Sequence, residues 1–139
     1  MIGLDTNVIL RYLTQDDPVQ SRTDSEVIEK RLTQESPGFV SIVAIVETVW
    51  VLERSYGFTS QDISAAIERL LQINVLIVES EQEVFNAMIV LKQGKTSFAD
   101  AVIAQLGRRA GCKRTLTFDH KAARLADFEL VGFRRFPSA

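Results

Sequence analysis

The sequence holds one cysteine, Cys112, and one histidine, His120, in 139 residues. A lone thiol can close no intramolecular disulfide, and nothing here points to an oxidising compartment. The same scarcity argues against zinc, which favours thiolate and imidazole donors. Glycine-rich phosphate loops are missing, so nucleotide hydrolysis of the P-loop type has no support. No internal repeat, low-complexity tract or Pro/Gly-rich linker divides the chain. No apolar run approaches membrane-spanning length, and the opening residues read as a strand rather than as a basic segment before a long apolar stretch. The expectation is a cytoplasmic protein without membrane association.

What is present fits a single domain over residues 1–139, long enough to bury a core without disulfides. Hydrophobic residues at 46% and charged residues at 24% are ordinary for a soluble globular fold. The net charge of −2 conceals an asymmetry. Residues 1–93 carry 7 basic and 14 acidic side chains, a balance of −7; residues 94–139 carry 9 and 4, a balance of +5. A basic final third around a few acids suits a polyanionic ligand, although an ordinary solvated face gives the same counts. Arg108, Arg109, Lys113, Arg114, Lys121 and Arg124 are the candidates for phosphate contact.

Punctuation residues place the elements. Met1–Leu4 reads as a short strand and Thr6–Leu13 as the helix that follows. Asp16-Asp17-Pro18 starts a second helix running to about Gln34, before Ser36-Pro37-Gly38 stops it. Phe39-Val40 is a minimal strand; Ser41 caps a helix to Tyr56 that Gly57 ends. Thr59, Ser60 and Asp62 open a helix reaching about Ile73, and Val75–Val78 is a compact apolar run expected as a buried strand. Ser80-Glu81-Gln82-Glu83 fits a capping box for a helix ending near Gly94, and Ser97-Phe98-Ala99-Asp100 opens another ending at Gly111. Thr115–Phe118, a short helix around Lys121–Leu125 and a strand Glu129–Phe133 complete the chain. Strands alternating with helices predict an α/β fold: a central parallel β-sheet flanked by helices in three layers.

On this map four carboxylates gather at one edge. Asp5 and Asp119 follow strands directly, Asp100 lies in the first turn of a helix, and Glu47 lies in the second turn of another. Strand carboxyl ends and the following helix amino ends share an edge of a parallel sheet, where such folds place ligands. Glu47 stands in a helix that is apolar on almost every face, Ile42 to Leu52, and is therefore expected to be buried. A buried ionised carboxylate needs a partner, and a cation is one. An arginine partner or a small polar gap would serve as well, and Asp5, Asp100 and Asp119 could each be plain helix-capping acids. Four carboxylates together call for a hard divalent cation, Mg²⁺ or Mn²⁺, that can activate water against a phosphodiester. Trp50 reads as core or dimer interface before base-stacking platform; Cys112 reads as a small buried or semi-buried filler and His120 as a surface bystander.

Four segments carry a resemblance: Leu4-Asp5-Thr6-Asn7, Glu47-Thr48-Val49-Trp50-Val51-Leu52, Phe98-Ala99-Asp100-Ala101 and Thr115-Leu116-Thr117-Phe118-Asp119. Together they resemble the PIN-domain family, and within it the VapC group of toxin–antitoxin ribonucleases. Arg11 to Pro18 is similar to the stretch after the first acid in one VapC branch, and the resemblance spans essentially the whole chain. It implies a PIN-like fold and Mg²⁺- or Mn²⁺-dependent endonucleolytic cleavage of RNA by Asp5, Glu47, Asp100 and Asp119. Asp119 is the member that can act through water rather than as a direct ligand. The resemblance further implies support from Thr6, Asn7 and Thr117, a homodimer, and an antitoxin protein that blocks the site. Other readings remain: a nuclease of RNA maturation or of DNA, a Mg²⁺-binding phosphoacceptor signalling domain, and a non-catalytic RNA-binding module.

Overall fold

Ile2-Gly3 is too short a strand to stand alone, and parallel partners hold it. The computed structural model describes residues 1–14, 26, 28 and 30–132. β1 (Ile2–Gly3) pairs in parallel with β2 (Gly38–Val40), Ile2 lying opposite Gly38. β2 pairs in parallel with β3 (Leu76–Val78), Val40 lying opposite Val78, and the order is β1-β2-β3. Parallel pairing requires crossover connections, which the intervening helices supply. Gly38 matters at the centre. A Cβ on it would come within 2.8 Å of Leu32 Cδ1 and 2.9 Å of Leu76 Cδ2, so only glycine lets both leucines close over β2.

α1 (Thr6–Thr14) leaves β1 after two residues and buries Ile9, Leu10 and Leu13. α2 (Ile42–Tyr56) starts on Ser41, whose Oγ accepts from the Ala44 amide at 3.1 Å. Glu79, just past β3, adds a second acceptor: its Oε1 takes the Ile42 amide at 2.8 Å. Two free amides of the first turn are thus satisfied from two different strand ends. Gly57, at φ 66, ends α2 in the left-handed conformation that glycine adopts without strain. The expected capping box is complete in α3 (Ser60–Leu71): Thr59 Oγ1 accepts from the Asp62 amide, and Asp62 Oδ2 accepts from the Thr59 amide.

Three sequence expectations shift. The compact apolar run is not a fully buried strand, because β3 pairs on one side only and Ile77 is 45% exposed. α4 (Glu81–Lys92) departs from Ser80 at φ 54, whereas a capping box would hold that residue extended. The start of the second predicted helix, Asp16-Asp17-Pro18, lies outside the described residues. Glu26, Ile28, Lys30 and Arg31 are helical, and the helix has ended by Leu32, short of Gln34.

Further along, α5 (Phe98–Arg109) starts on Ser97, whose Oγ accepts the Asp100 amide at 3.1 Å. A tight reversal through Gly111, at φ 100, leads to β4 (Thr115–Thr117). The short helix expected next is a 3-10 turn, Ala122–Arg124, and it leads to β5 (Phe128–Leu130). Phe133, the expected end of that strand, lies outside the described residues. β4 and β5 pair in parallel, Thr115 opposite Phe128. The five strands among the described residues therefore pair in parallel, as a three-stranded and a two-stranded sheet. The chain packs as two compact units, Met1–Phe85 and Asn86–Ala139. The first has its core where α1, α2 and α3 bury Ile9, Ile45, Leu52 and Ile63; in the second, Ala104, Ala122 and Phe128 cluster with Leu125 against them. Among the described residues no helix is long and apolar enough to cross a membrane.

Candidate functional site

In Met1–Phe85 the parallel sheet sets the geometry. The carboxyl ends of β1, β2 and β3 share one edge, where α1 and α2 begin, so Asp5 and Glu47 are carried to the same place. Thr6 joins them. Its backbone amide donates to Asp5 Oδ1 at 2.8 Å, and its hydroxyl donates to Glu47 Oε1 across 41 residues of sequence. Thr6 is buried, so its hydroxyl sits in a fixed place and turns Glu47 toward the start of α1. Each carboxylate keeps its other oxygen, Asp5 Oδ2 and Glu47 Oε2, without a hydrogen bond among the described residues. Asn7, the next residue, is exposed in the first turn of α1.

The expected burial of Glu47 does not hold. Its side chain belongs to an exposed face of α2 on which Val43 is 73% and Trp50 55% exposed. The core face of the helix is Ala44, Ile45, Thr48, Val49 and Leu52. A helix apolar all round offers two faces of similar hydropathy, and the sequence period cannot say which is covered. The argument that burial makes Glu47 demand a cation therefore falls; the Thr6 bond is what fixes it. Trp50 leaves the core on the same evidence, with the Arg54 guanidinium 4.9 Å from its ring centroid. Ile42, Val43, Val46 and Trp50 line a groove of ≈ 450 Å³ beside Glu47.

In Asn86–Ala139 the remaining acids are held differently. Asp100 is half-buried in the first turn of α5, its own amide capped by Ser97. The buried Thr96 directs its hydroxyl at Asp100 Oδ2 over a long 3.4 Å. Thr96 escaped the sequence reading; its only sign was a hydroxyl four residues before the acid. After the turn at Gly111 comes β4, and Asp119 stands two residues past its end. Thr117 Oγ1 accepts the Asp119 amide at 2.9 Å. Asp119 Oδ1 accepts from the Lys121 amide at 2.8 Å and the Ala122 amide at 3.4 Å, capping the 3-10 turn. The modest capping role weighed from sequence is real, and it occupies one oxygen.

The basic residues divide. Arg108 lies 3.6 Å from Asp127 and Arg114 lies 3.9 Å from Glu129, so two of the six phosphate candidates already face carboxylates. Arg109, Lys113, Lys121 and Arg124 are exposed, as is His120; Cys112 is exposed too, not the buried or semi-buried filler expected. Among the described residues no group of three or more His, Cys, Asp or Glu side chains is gathered as a metal site. The donors themselves are oxygen atoms of carboxylates, the hard set that Mg²⁺ and Mn²⁺ prefer.

A family model described as PIN domain matches residues 2–128. The chain belongs to the PIN-domain family. Over 131 residues it is 24% identical to a protein of Aquifex aeolicus (strain VF5) named VapC ribonuclease, covering 94% of this chain and 92% of that relative. The family match runs through Asp5, Glu47, Asp100 and Asp119 alike.

Proposed function

We propose that this PIN-domain protein is a Mg²⁺- or Mn²⁺-dependent endoribonuclease, the toxin of a toxin–antitoxin pair, with Asp5, Glu47, Asp100 and Asp119 as its acids. The observation that carries the reading is Thr6, whose amide and hydroxyl tie Asp5 to Glu47 across 41 residues. A buried hydroxyl spent on holding two acids side by side has little structural purpose, since like charges brought together repel. It has a clear purpose if the pair acts jointly. The relative named VapC ribonuclease supports the same activity here.

On this reading the bound cation would be held by Asp5, Glu47 and Asp100, and through water or directly by Asp119. When bound it supplies a lowered water pKa and neutralises charge on the phosphodiester. The chain's own residues do the rest. Thr6 keeps one oxygen of each acid engaged and so aims the other, Thr96 steadies Asp100, and Thr117 with the 3-10 turn fixes Asp119. The partners of such a toxin, an antitoxin protein and a second copy of the chain, require apolar surface. The α2 groove beside Glu47 offers it, and an antitoxin seated there would cover the acid. Family membership favours this activity over the phosphoacceptor and non-catalytic alternatives.

The test incubates pure protein with RNA in Mg²⁺, Mn²⁺ or EDTA, beside an Asp5→Asn variant. Cleavage that requires the divalent ion and is lost in the variant is expected. Equal cleavage by both proteins, or cleavage indifferent to EDTA, overturns the reading; acyl phosphate labelling without RNA cleavage would favour the signalling alternative. Induced expression should arrest growth, and a co-expressed antitoxin should reverse the arrest.

A further inference from the structure

A second groove, of ≈ 500 Å³, has Gly94, Lys95, Arg124, Leu125 and Ala126 as its lining among the described residues, all in Asn86–Ala139. We propose that Lys95 and Arg124 make it a binding subsite for the phosphate backbone of a single RNA strand, beside Asp100 and Asp119. The proposal rests on the ribonuclease reading and adds a site to it.

The first argument is charge. Lys95 and Arg124 are both exposed, and neither forms an ion pair among the described residues. Arg108 and Arg114, by contrast, face Asp127 and Glu129 at 3.6 and 3.9 Å. Asp127 is the nearest acid in sequence to the groove wall, and its carboxylate is turned to Arg108. Two uncommitted cations lining one groove form an anion site.

The second argument is placement. Lys95 directly precedes Thr96 and Ser97, the two residues that bond the side chain and the amide of Asp100. Arg124 closes the 3-10 turn whose opening amides rest on Asp119 Oδ1. Each cation is thus joined by a few residues of fixed backbone to one of the two candidate acids.

Leu125 and Ala126 add an apolar wall to the groove. Leu125 packs against the Ala104, Ala122 and Phe128 cluster, so this wall is anchored to the core. With Ala126 it offers apolar surface. A free hydrated phosphate gains nothing from that; the ribose and base of a nucleic-acid strand do.

The experiment measures binding of a fluorescently labelled single-stranded oligoribonucleotide by anisotropy across a salt series, in EDTA so that the strand stays whole. Wild type is compared with the Lys95→Gln/Arg124→Gln double variant. A Lys30→Gln/Arg69→Gln double variant removes the same charge elsewhere. Each lost phosphate contact lowers the slope of log affinity against log salt by about 0.7 for single strands, so the groove double should lose about 1.4. The control double should keep the wild-type slope, as should the charge-preserving Lys95→Arg/Arg124→Lys double. In the cleavage assay with Mg²⁺ the groove double should raise KM while leaving kcat within about twofold, because the acids are intact. An unchanged slope in the groove double overturns the proposal, as does an equal loss in the control. A mononucleotide that competes as tightly as the oligonucleotide overturns the assignment to a strand. If wild type cleaves RNA and the groove double keeps its KM, the groove fails and the ribonuclease stands. If wild type neither binds nor cleaves RNA, the ribonuclease reading fails and the groove with it.

Discussion

Removing one hydroxyl tests the central geometry. Thr6→Val keeps the shape of a buried side chain and the backbone amide that donates to Asp5 Oδ1, but it deletes the donor to Glu47 Oε1. A hydrogen bond to a charged group contributes about 1.5–3 kcal/mol net. If that bond aims Glu47 in the reacting complex, its loss slows cleavage by roughly 10- to 150-fold, since about 1.4 kcal/mol is a factor of ten. The effect belongs in kcat and in the concentration of Mn²⁺ needed for half-maximal rate, because Thr6 acts through Glu47 and not on the RNA. Thr6→Ser restores the hydroxyl and should recover most of the rate, which a purely structural defect would not do. Thermal melting should show both variants folded. A folded Thr6→Val protein with wild-type kcat and wild-type metal dependence would refute the claim that Thr6 positions the acid.

Three further outcomes follow from the packing. Trp50→Ala should change stability by no more than about 0.5 kcal/mol in a denaturant titration, as surface substitutions do, whereas a core tryptophan would cost about 3–5 kcal/mol. Gly38→Ala should cost about 1–3 kcal/mol, because the new methyl meets Leu32 and Leu76 at 2.8 and 2.9 Å and both must move. The Thr59 amide, and then its hydroxyl, hold the Asp62 carboxyl below its ordinary range. The capping box therefore contributes fully above the unfolded carboxylate pKa and is lost as pH falls through the lower folded value. The stability gap between wild type and Asp62→Ala should close on acidification; a gap that widens instead would reverse the assignment.

Local chemistry was the most legible part of the sequence. Ser41, Ser97 and the Thr59–Asp62 pair act where they were expected, because such caps depend on a side chain reaching backbone three residues away, and Gly57 does so because a left-handed helix end is equally local. Ser80 departs from the extended backbone of a cap. Its tetrapeptide has the composition of a capping box, yet its φ of 54 follows from how the chain leaves β3, which no four-residue window contains. Ile77 fails for a similar reason. A β-branched run reads the same in a central strand and an edge strand, and only pairing partners decide how much of it water reaches.

For Glu47, position and burial come apart. Its sequence position on the same sheet edge as Asp5 followed from topology, and the Thr6 bond bears that out. Its burial was inferred from apolar neighbours, but apolar residues on a helix need not all be covered, and much of a protein's surface is apolar. Val43 and Trp50 flank Glu47 on an open face while Ile45, Val49 and Leu52 fill the core from the other. The exposed apolar face is then the feature that needs a reason. Hydrophobic side chains around an open carboxylate cost solubility, and a chain tolerates that where the face is covered in use. A site acid beside such a groove can be switched off by the same contact that covers it. Exposure of Glu47 thus weakens the original electrostatic argument and strengthens the case for a partner at α2.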